Sequence, residues 1–275
     1  MLRDSSADSV SVLVPTYNRP AALAVTLLSL AFQTYQSFSV VISDQSDTNE
    51  VLLRGEIRAV IRILQLHGHG VRIYNHLPRK GIAEQRQFLL DAASTPYSLF
   101  LDDDCVLEPD VIERMVRALR EENCGFVGCA TIGLSYRYDI RPQEQRIEFW
   151  KGPVRPETVK PGSLKWERYK LHNAANLYHV QERLGITAEK QRKYKVAWVG
   201  GCVLYDTAKL KCAGGYQFWK ELPGNICGED VLAQLRVMKR YGGCGLLPSG
   251  VYHQELPTTL PDRSIVAAVE KAGSL

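Results

Sequence analysis

From Ser9 onward, two kinds of hydrophobic pattern alternate along the chain. Short apolar runs bounded by polar or turn residues occur at Ser9 to Pro15 (SVSVLVP), Phe38 to Ser43 (FSVVIS), Val71 to Tyr74 and Tyr97 to Leu101. Such runs predict buried strands. Between them, apolar residues recur near one helical face. Ala21 to Gln33 carries Leu23, Leu27, Leu30 and Ala31 on one side, and Asn49 to Leu64 and Gly81 to Ala93 read similarly. Gly55 weakens the second of these helices. Pro20, after the polar turn Thr16-Tyr17-Asn18-Arg19, opens the first. A helix over Pro109 to Glu121 and a strand over Cys124 to Ala130 continue the alternation. Strands and helices at this spacing predict an α/β fold with a mainly parallel sheet.

The pattern lapses from Thr131 to Lys195 and returns as a strand over Val196 to Tyr205 (VAWVGGCVLY). Gly214-Gly215-Tyr216 is a turn. Gly228-Glu229-Asp230 leads into an amphipathic helix, VLAQLRVMKRY, and Gly242 to Leu247 ends in a short strand.

Polar clusters fall at the ends of the predicted strands. In parallel sheets ligands bind beyond the strands' carboxyl ends. Thr16 to Arg19, Asp44 and Asp102-Asp103-Asp104 all lie there and should line one edge. Three adjacent carboxylates repel and lose solvation unless a cation offsets them. In an extended segment Asp102 and Asp104 face the same side and can converge on one ion. Hard oxygen ligands suit Mg²⁺ or Mn²⁺, and magnesium-type ions draw further ligands from substrate phosphates. The expected substrate therefore carries a diphosphate, although a solvated acidic loop also explains an isolated DDD.

Other candidates carry paired readings. Asp44 suits a base or ribose, or a turn in DQSD. Lys80-Gly81, with Arg79 and Arg86 nearby, suits phosphate at a helix start, or a solvated basic turn. Gly200-Gly201 within a strand suggests close approach of a ligand or another backbone. Glu229 and Asp230 complement a helix dipole, or supply a general base at a cleft. His253 suits a metal or diphosphate, or a structural role. His172 and His179 have no partner at metal-ligand spacing and read as structural.

Composition narrows the class. The 275 residues are 45% hydrophobic and 23% charged, enough for one large domain or a domain with an appended lobe. Net charge is +4, too modest to imply nucleic acid, and no nucleic-acid-binding motif is present. A Walker A motif and a GxGxxG after the first strand are both missing. Seven cysteines without a CxxC pair fit reduced thiols in a cytoplasmic protein. The first ten residues lack a signal peptide's apolar core, and no apolar window suggests a membrane span. Between Lys151 and Lys195 there are eleven Lys/Arg against four Asp/Glu, together with Trp166, Tyr169, Tyr178 and Tyr194 and, just before it, Trp150. This segment would cover the site, meet an anionic partner or membrane surface, or pack its aromatics on the core.

SVLVPTYNRP, VVISDQSD, KGIAEQRQ, SLFLDDDCVLEPD, WVGGCVLYD, GGY and GEDVLAQLR run in order across residues 9–241. This set resembles the family 2 glycosyltransferases. The resemblance implies the GT-A fold: α/β, a Rossmann-like mainly parallel sheet flanked by helices, in a single domain with an acceptor-side insert. The expected organisation is a flexible N-terminus (1–8), a nucleotide-sugar-binding half (9–130), a variable basic insert (131–195), an acceptor and catalytic-base half (196–255) and a C-terminal tail (256–275). The reaction implied is sugar transfer from a nucleoside diphosphate sugar, with a UDP-sugar favoured, to an acceptor hydroxyl. By analogy, Pro15, Thr16, Tyr17, Arg19 and Asp44 hold the nucleoside, and Arg79, Lys80, Gly81 and Arg86 lie near the diphosphate. Asp102 and Asp103 face ribose or sugar, and Asp104 faces Mn²⁺ or Mg²⁺, with His253 closing the metal site. Trp198, Gly200 and Gly201 lie on the acceptor side. Asp230, next to Glu229, would deprotonate the acceptor, giving inversion. The QxxRW motif of polymerising members is absent after GED, so one sugar per acceptor is expected. A glycan or lipid-linked acceptor in bacterial surface-glycan assembly is implied, with peripheral membrane contact through 151–195. A sugar-phosphate nucleotidyltransferase would want a Gly-rich, Arg-Lys-containing loop after the first strand, which PTYNRP lacks. Intact DDD and GED argue against a non-catalytic nucleotide-sugar-binding module.

Overall fold

A computed structural model describes residues 8–48, 51–224 and 227–259. Most of the expected flexible N-terminus, the start of the Asn49 helix and the end of the C-terminal tail lie outside the described residues. The first half alternates as its periodicity predicts: β1 (Val10–Thr16), α1 (Pro20–Ala31), β2 (Phe38–Asp44), α2 (Gly55–Leu66), β3 (Val71–Asn75), α3 (Ile82–Ala92) and β4 (Tyr97–Leu101). Then come β5 (Cys105–Leu107), α4 (Val111–Glu122), β6 (Phe126–Gly128), α5 (Asn176–Leu184), β7 (Arg192–Tyr194), β8 (Cys202–Asp206), α6 (Thr207–Cys212), α7 (Glu229–Tyr241), β9 (Gly243–Leu247) and β10 (Val251–His253).

Every residue of β1 is buried, because the sheet is covered on both faces. Side chains alternate between two cores. Val10, Val12 and Val14 pack with Leu23, Leu27 and Leu30 of α1, and Leu13 packs with Leu89 and Leu90 of α3 on the other face. The main sheet runs β3-β2-β1-β4-β8-β6-β9-β7. Its first four strands are parallel; β8 is antiparallel to β4 and β6, and β7 to β9. Strand order reverses between β1 and β4, which places a crevice beyond their carboxyl ends. The register sets Thr16 opposite Asp44 and Leu13 opposite Phe100, so the ends of β1, β2 and β4 share one sheet edge. A second, two-stranded sheet pairs β10 with β5 and puts His253 opposite Cys105.

The strand expected over Val196 to Tyr205 is confined to Cys202–Asp206. The chain before it is pulled out of the ladder. Gln234 clamps both backbone groups of Val199, accepting from its N–H (2.8 Å) and donating to its carbonyl (2.7 Å). Gly201 has φ +82°, and its carbonyl accepts from Asp102 N (2.8 Å). A Cβ at Gly201 would lie 2.4 Å from Thr131 Cγ2. Gly201→Ala is therefore expected to lower unfolding free energy by about 2–4 kcal/mol, measured by denaturant titration.

The segment between β6 and β7 leaves Tyr136 and Tyr138 exposed but packs others of its aromatics inward beside β7. Tyr194 is fully buried, and Trp166 and Tyr169 meet Trp198 at centroid distances of 4.5 and 5.1 Å. Much of its basic charge is paired. Arg168 bridges Glu157 (2.7 Å) and Glu148 (3.1 Å), Lys165 reaches Glu157 (2.9 Å), and Lys193 meets Glu122. His172 is half-buried against the Tyr194 hydroxyl (3.0 Å), and desolvation pulls its imidazole down to about 4. Among the described residues no helix is long and apolar enough to cross a membrane.

Candidate active site

Beyond β1 and β4 lies a cleft of about 360 Å³. Eleven of the residues singled out in the sequence line it: Pro15, Thr16, Tyr17, Arg19, Arg86, Asp102, Asp103, Asp104, Glu229, Asp230 and His253. They come from the ends of β1 and β4, from α3, from the start of α7 and from β10. Their only common property is position at one sheet edge.

Residues 102–104 form a turn between β4 and β5 rather than a continuing strand. Their carboxylates therefore diverge. Asp102 turns to Arg86 Nη2 (2.8 Å). Asp103 is buried and accepts from Thr16 Oγ1 (2.6 Å), and its carbonyl accepts from Thr26 Oγ1 (2.8 Å). Asp104 accepts from Arg19 Nη1 (2.7 Å) and faces His253 Nε2 at 3.4 Å. The expectation that Asp102 and Asp104 converge on one ion assumed extended backbone. With the turn, no three His, Cys, Asp or Glu side chains among the described residues are grouped to hold a metal.

The environments differ accordingly. Burial pushes the Asp103 carboxyl up to about 7, against the opposing pull of the Thr16 hydroxyl. Burial also raises Asp104, but the His253 imidazole and Arg19 guanidinium outweigh it and hold the carboxyl below its usual range. His253 is raised in turn by its hydrogen bond to Asp104. Glu255 N donates to His253 Nδ1 (2.8 Å), so Nε2 carries the ring proton and points at Asp104.

Among the described residues, Asp104 with His253 beside it could hold a small hard cation only with further ligands from elsewhere. His253 sits close enough to join it once its Nε2 proton is lost and the Glu255 contact released. Arg19 would leave Asp104 at the same time.

Arg86 organises the opposite wall. It is buried, with Nε on Glu229 Oε1 (2.9 Å) and Nη2 on Asp102 Oδ1 (2.8 Å). It thus ties the Asp102 turn to the first residue of α7, instead of reaching freely toward a phosphate. Glu229 is committed to Arg86. Asp230 keeps a face on the cleft and accepts from Val231 N (2.8 Å). Burial, then the Glu229 charge, pushes the Asp230 carboxyl up to about 7.

Seven predicted residues lie off the cleft wall: Asp44, Arg79, Lys80, Gly81, Trp198, Gly200 and Gly201. Asp44 accepts from Ser46 N (2.8 Å) and from the Ser46 hydroxyl, closing the DQSD turn. Gly81 (φ +107°) packs so tightly on the Gly224 carbonyl that a Cβ would come within 2.1 Å of it. Lys80 lies over the Trp219 ring, and the Arg79 guanidinium stacks 3.7 Å above Tyr17. Sequence reasoning passed over Gln85, which lines the cleft and donates to the carbonyls of Thr16 (3.2 Å) and Ser43 (2.7 Å). It also passed over the strand-end segment after His253, where Gln254 N donates to the Asp104 carbonyl (2.8 Å) and Arg19 meets the Pro257 carbonyl. A lone Gln inside a helical pattern carries no signal that it faces a cleft.

The chain is similar to known proteins. An uncharacterized glycosyltransferase of Haemophilus influenzae is 27% identical over 147 residues, covering 50% of this chain and 47% of that protein. The UDP-Glc:alpha-D-GlcNAc-diphosphoundecaprenol beta-1,3-glucosyltransferase WfgD of Escherichia coli is 21% identical over 118 residues, 43% of this chain and 44% of that protein. The chain thus spans less than half the length of these curated relatives. S. aureus TarS 1–349 in complex with UDP-GlcNAc superposes with a TM-score of 0.54 at 16% identity, over 92% of this chain and 60% of that one, which shows the GT-A fold. The family model described as Glycosyl transferase family 2 matches residues 11–181, taking in β1, the Asp102–Asp104 turn and the helices that support them. The chain belongs to glycosyl transferase family 2.

Proposed function

We propose that this chain transfers one sugar from a nucleoside diphosphate sugar to an acceptor hydroxyl, with inversion and Asp230 as the base. The observation that carries it is the facing of Asp230 and Asp104 across one cleft, with Arg86 joining the two walls. An acceptor hydroxyl is a poor nucleophile at neutral pH. A carboxylate raised by burial is better matched to taking its proton than an ordinary Asp. Arg19 supplies positive charge where the diphosphate departs, and charge that develops on a leaving group is the charge worth stabilising. Asp103, Thr16, Tyr17 and Asp44 are assigned to the nucleoside and sugar.

Asp104 and His253 are assigned to Mn²⁺ or Mg²⁺, which when bound would offset charge on the leaving diphosphate. A UDP-sugar donor is favoured because WfgD is named for UDP-Glc and TarS was solved with UDP-GlcNAc. WfgD's name also supports a lipid-diphosphate-linked acceptor, hence bacterial surface-glycan assembly. Peripheral contact with a membrane through 151–195 would rest on exposed Lys151, Arg155 and Lys160.

Calorimetry with UDP, GDP, CDP and dTDP, with and without Mn²⁺, tests this reading. UDP is expected to bind, and Mn²⁺ to tighten it at least tenfold, about 1.4 kcal/mol. Asp104→Asn should remove that increment while leaving metal-free binding in place. Binding of none of the four by folded protein with metal present would overturn the donor assignment.

A further inference from the structure

Asp230 and Arg86, which line the cleft, also line a second, small space of about 10 Å³. Its polar lining is Asp230, Arg86, Gln234, Tyr205 and Tyr216. A volume near one probe sphere, with two or more polar partners, is what a single buried water requires.

Tyr216 is held there by several constraints. Gly214 (φ +97°) and Gly215 (φ +52°) make the turn before it. Tyr216 N donates to Gln87 Oε1 on α3 (2.8 Å). The ring packs on Phe100 at 5.2 Å. The side chain is fully buried, yet its hydroxyl, beside that of Tyr205, makes no hydrogen bond of normal geometry. A buried hydroxyl without a partner costs about 1–3 kcal/mol, so a water that satisfied it would be stabilising. Gln234 clamps Val199 with its oxygen and one N–H, which leaves one N–H to donate into the space. Asp230 supplies the carboxylate acceptor of the lining. The groups that face Asp230 are Glu229 on α7, Arg86 on α3, Asp102 after β4, Tyr205 on β8 and Tyr216 in the turn before α7.

We propose that Tyr216 is a positioning residue for Asp230, acting through one water bound in this cavity. The Tyr216 hydroxyl accepts from or donates to the water, and the water donates to the Asp230 carboxylate. That bond fixes the carboxylate, which also lines the cleft. It also favours the ionised form and so limits how far burial raises the acid. The inference rests on the reading of Asp230 as the base.

Two measurements test it. A crystal structure at about 1.5 Å resolution should show a water within hydrogen-bond distance of both Tyr216 Oη and the Asp230 carboxylate; a dry cavity would overturn the proposal whatever the enzyme does. Tyr216→Phe removes only the hydroxyl. It should keep nucleotide affinity and donor KM, lower kcat at pH 7 about fivefold, and move the acidic limb of kcat/KM upward by roughly half a pH unit. A fall in activity with an unmoved limb would mean a packing role and would also overturn it. If Asp230→Asn retained full transfer while the water was present, the base assignment would fail and the bound water would stand.

Discussion

Asp230→Asn is expected to retain UDP binding and to lose sugar transfer by about 10²–10⁴-fold in kcat, the range for removing a positioned general base. Asn preserves shape and the hydrogen bond from Val231 N but cannot take the acceptor's proton. Binding should survive because Arg19, Thr16 and the Asp102–Asp104 turn are untouched. The pH profile gives a second check. A base must be ionised, and Asp230 is raised by burial and by the neighbouring Glu229 charge to about 7. Activity should therefore be full above that pH and fall tenfold per unit below it. An unshifted aspartate would keep its activity down to about pH 4. The variant's residual activity should lack this limb. Unchanged transfer in Asp230→Asn would sink the assignment. A limb near pH 4 would instead show that Asp230 is better solvated than its position implies.

Arg86→Met should be the most destabilising single change at the site. Arg86 is buried against Glu229, itself buried, and against the more exposed Asp102. Removing the cation strands the Glu229 carboxylate without its partner. Breaking a buried pair from one side costs about 3–5 kcal/mol. For a chain of this size that corresponds to a melting temperature lower by roughly 8 °C or more. The Asp102 contribution is discounted because solvent screens it. Activity should fall as well, since Arg86 holds the start of α7, and Asp230 with it, against the Asp102 turn. Pairing the change with Glu229→Gln should recover part of the stability, because the Glu229 charge is no longer stranded; Asp102 still loses its partner. Thermal unfolding of the two single variants and the double variant measures the coupling. Additive losses would mean the ion pair contributes nothing of its own.

The strand at Tyr97–Leu101 and the helices at Pro20–Ala31 and Ile82–Ala92 were legible from the alternation of short apolar runs with longer segments between them, whereas the helix expected from Asn49 begins only at Gly55. The same pattern located the cleft, since polar clusters at strand ends of a parallel sheet must meet. Eleven of the eighteen site residues singled out do line it. What failed was local backbone. The Asp102–Asp104 stretch looked extended and is a turn, which sends Asp102 to Arg86 and Asp104 to Arg19. Val196 to Tyr205 looked like one strand, but Gln234 clamps Val199 from thirty-five residues away.

The sequence by itself determined the strand–helix alternation, the sheet edge where the carboxylates gather and the family they belong to. Those follow from period, spacing and residue type, which are local. Only the tertiary structure decided that Arg86 serves two carboxylates, that Glu229 is occupied while Asp230 faces the cleft, and that Tyr216 and Asp230 line one small space. Each of these depends on which side chains meet across tens of residues, where a hydrogen bond or a burial cost outweighs any local preference.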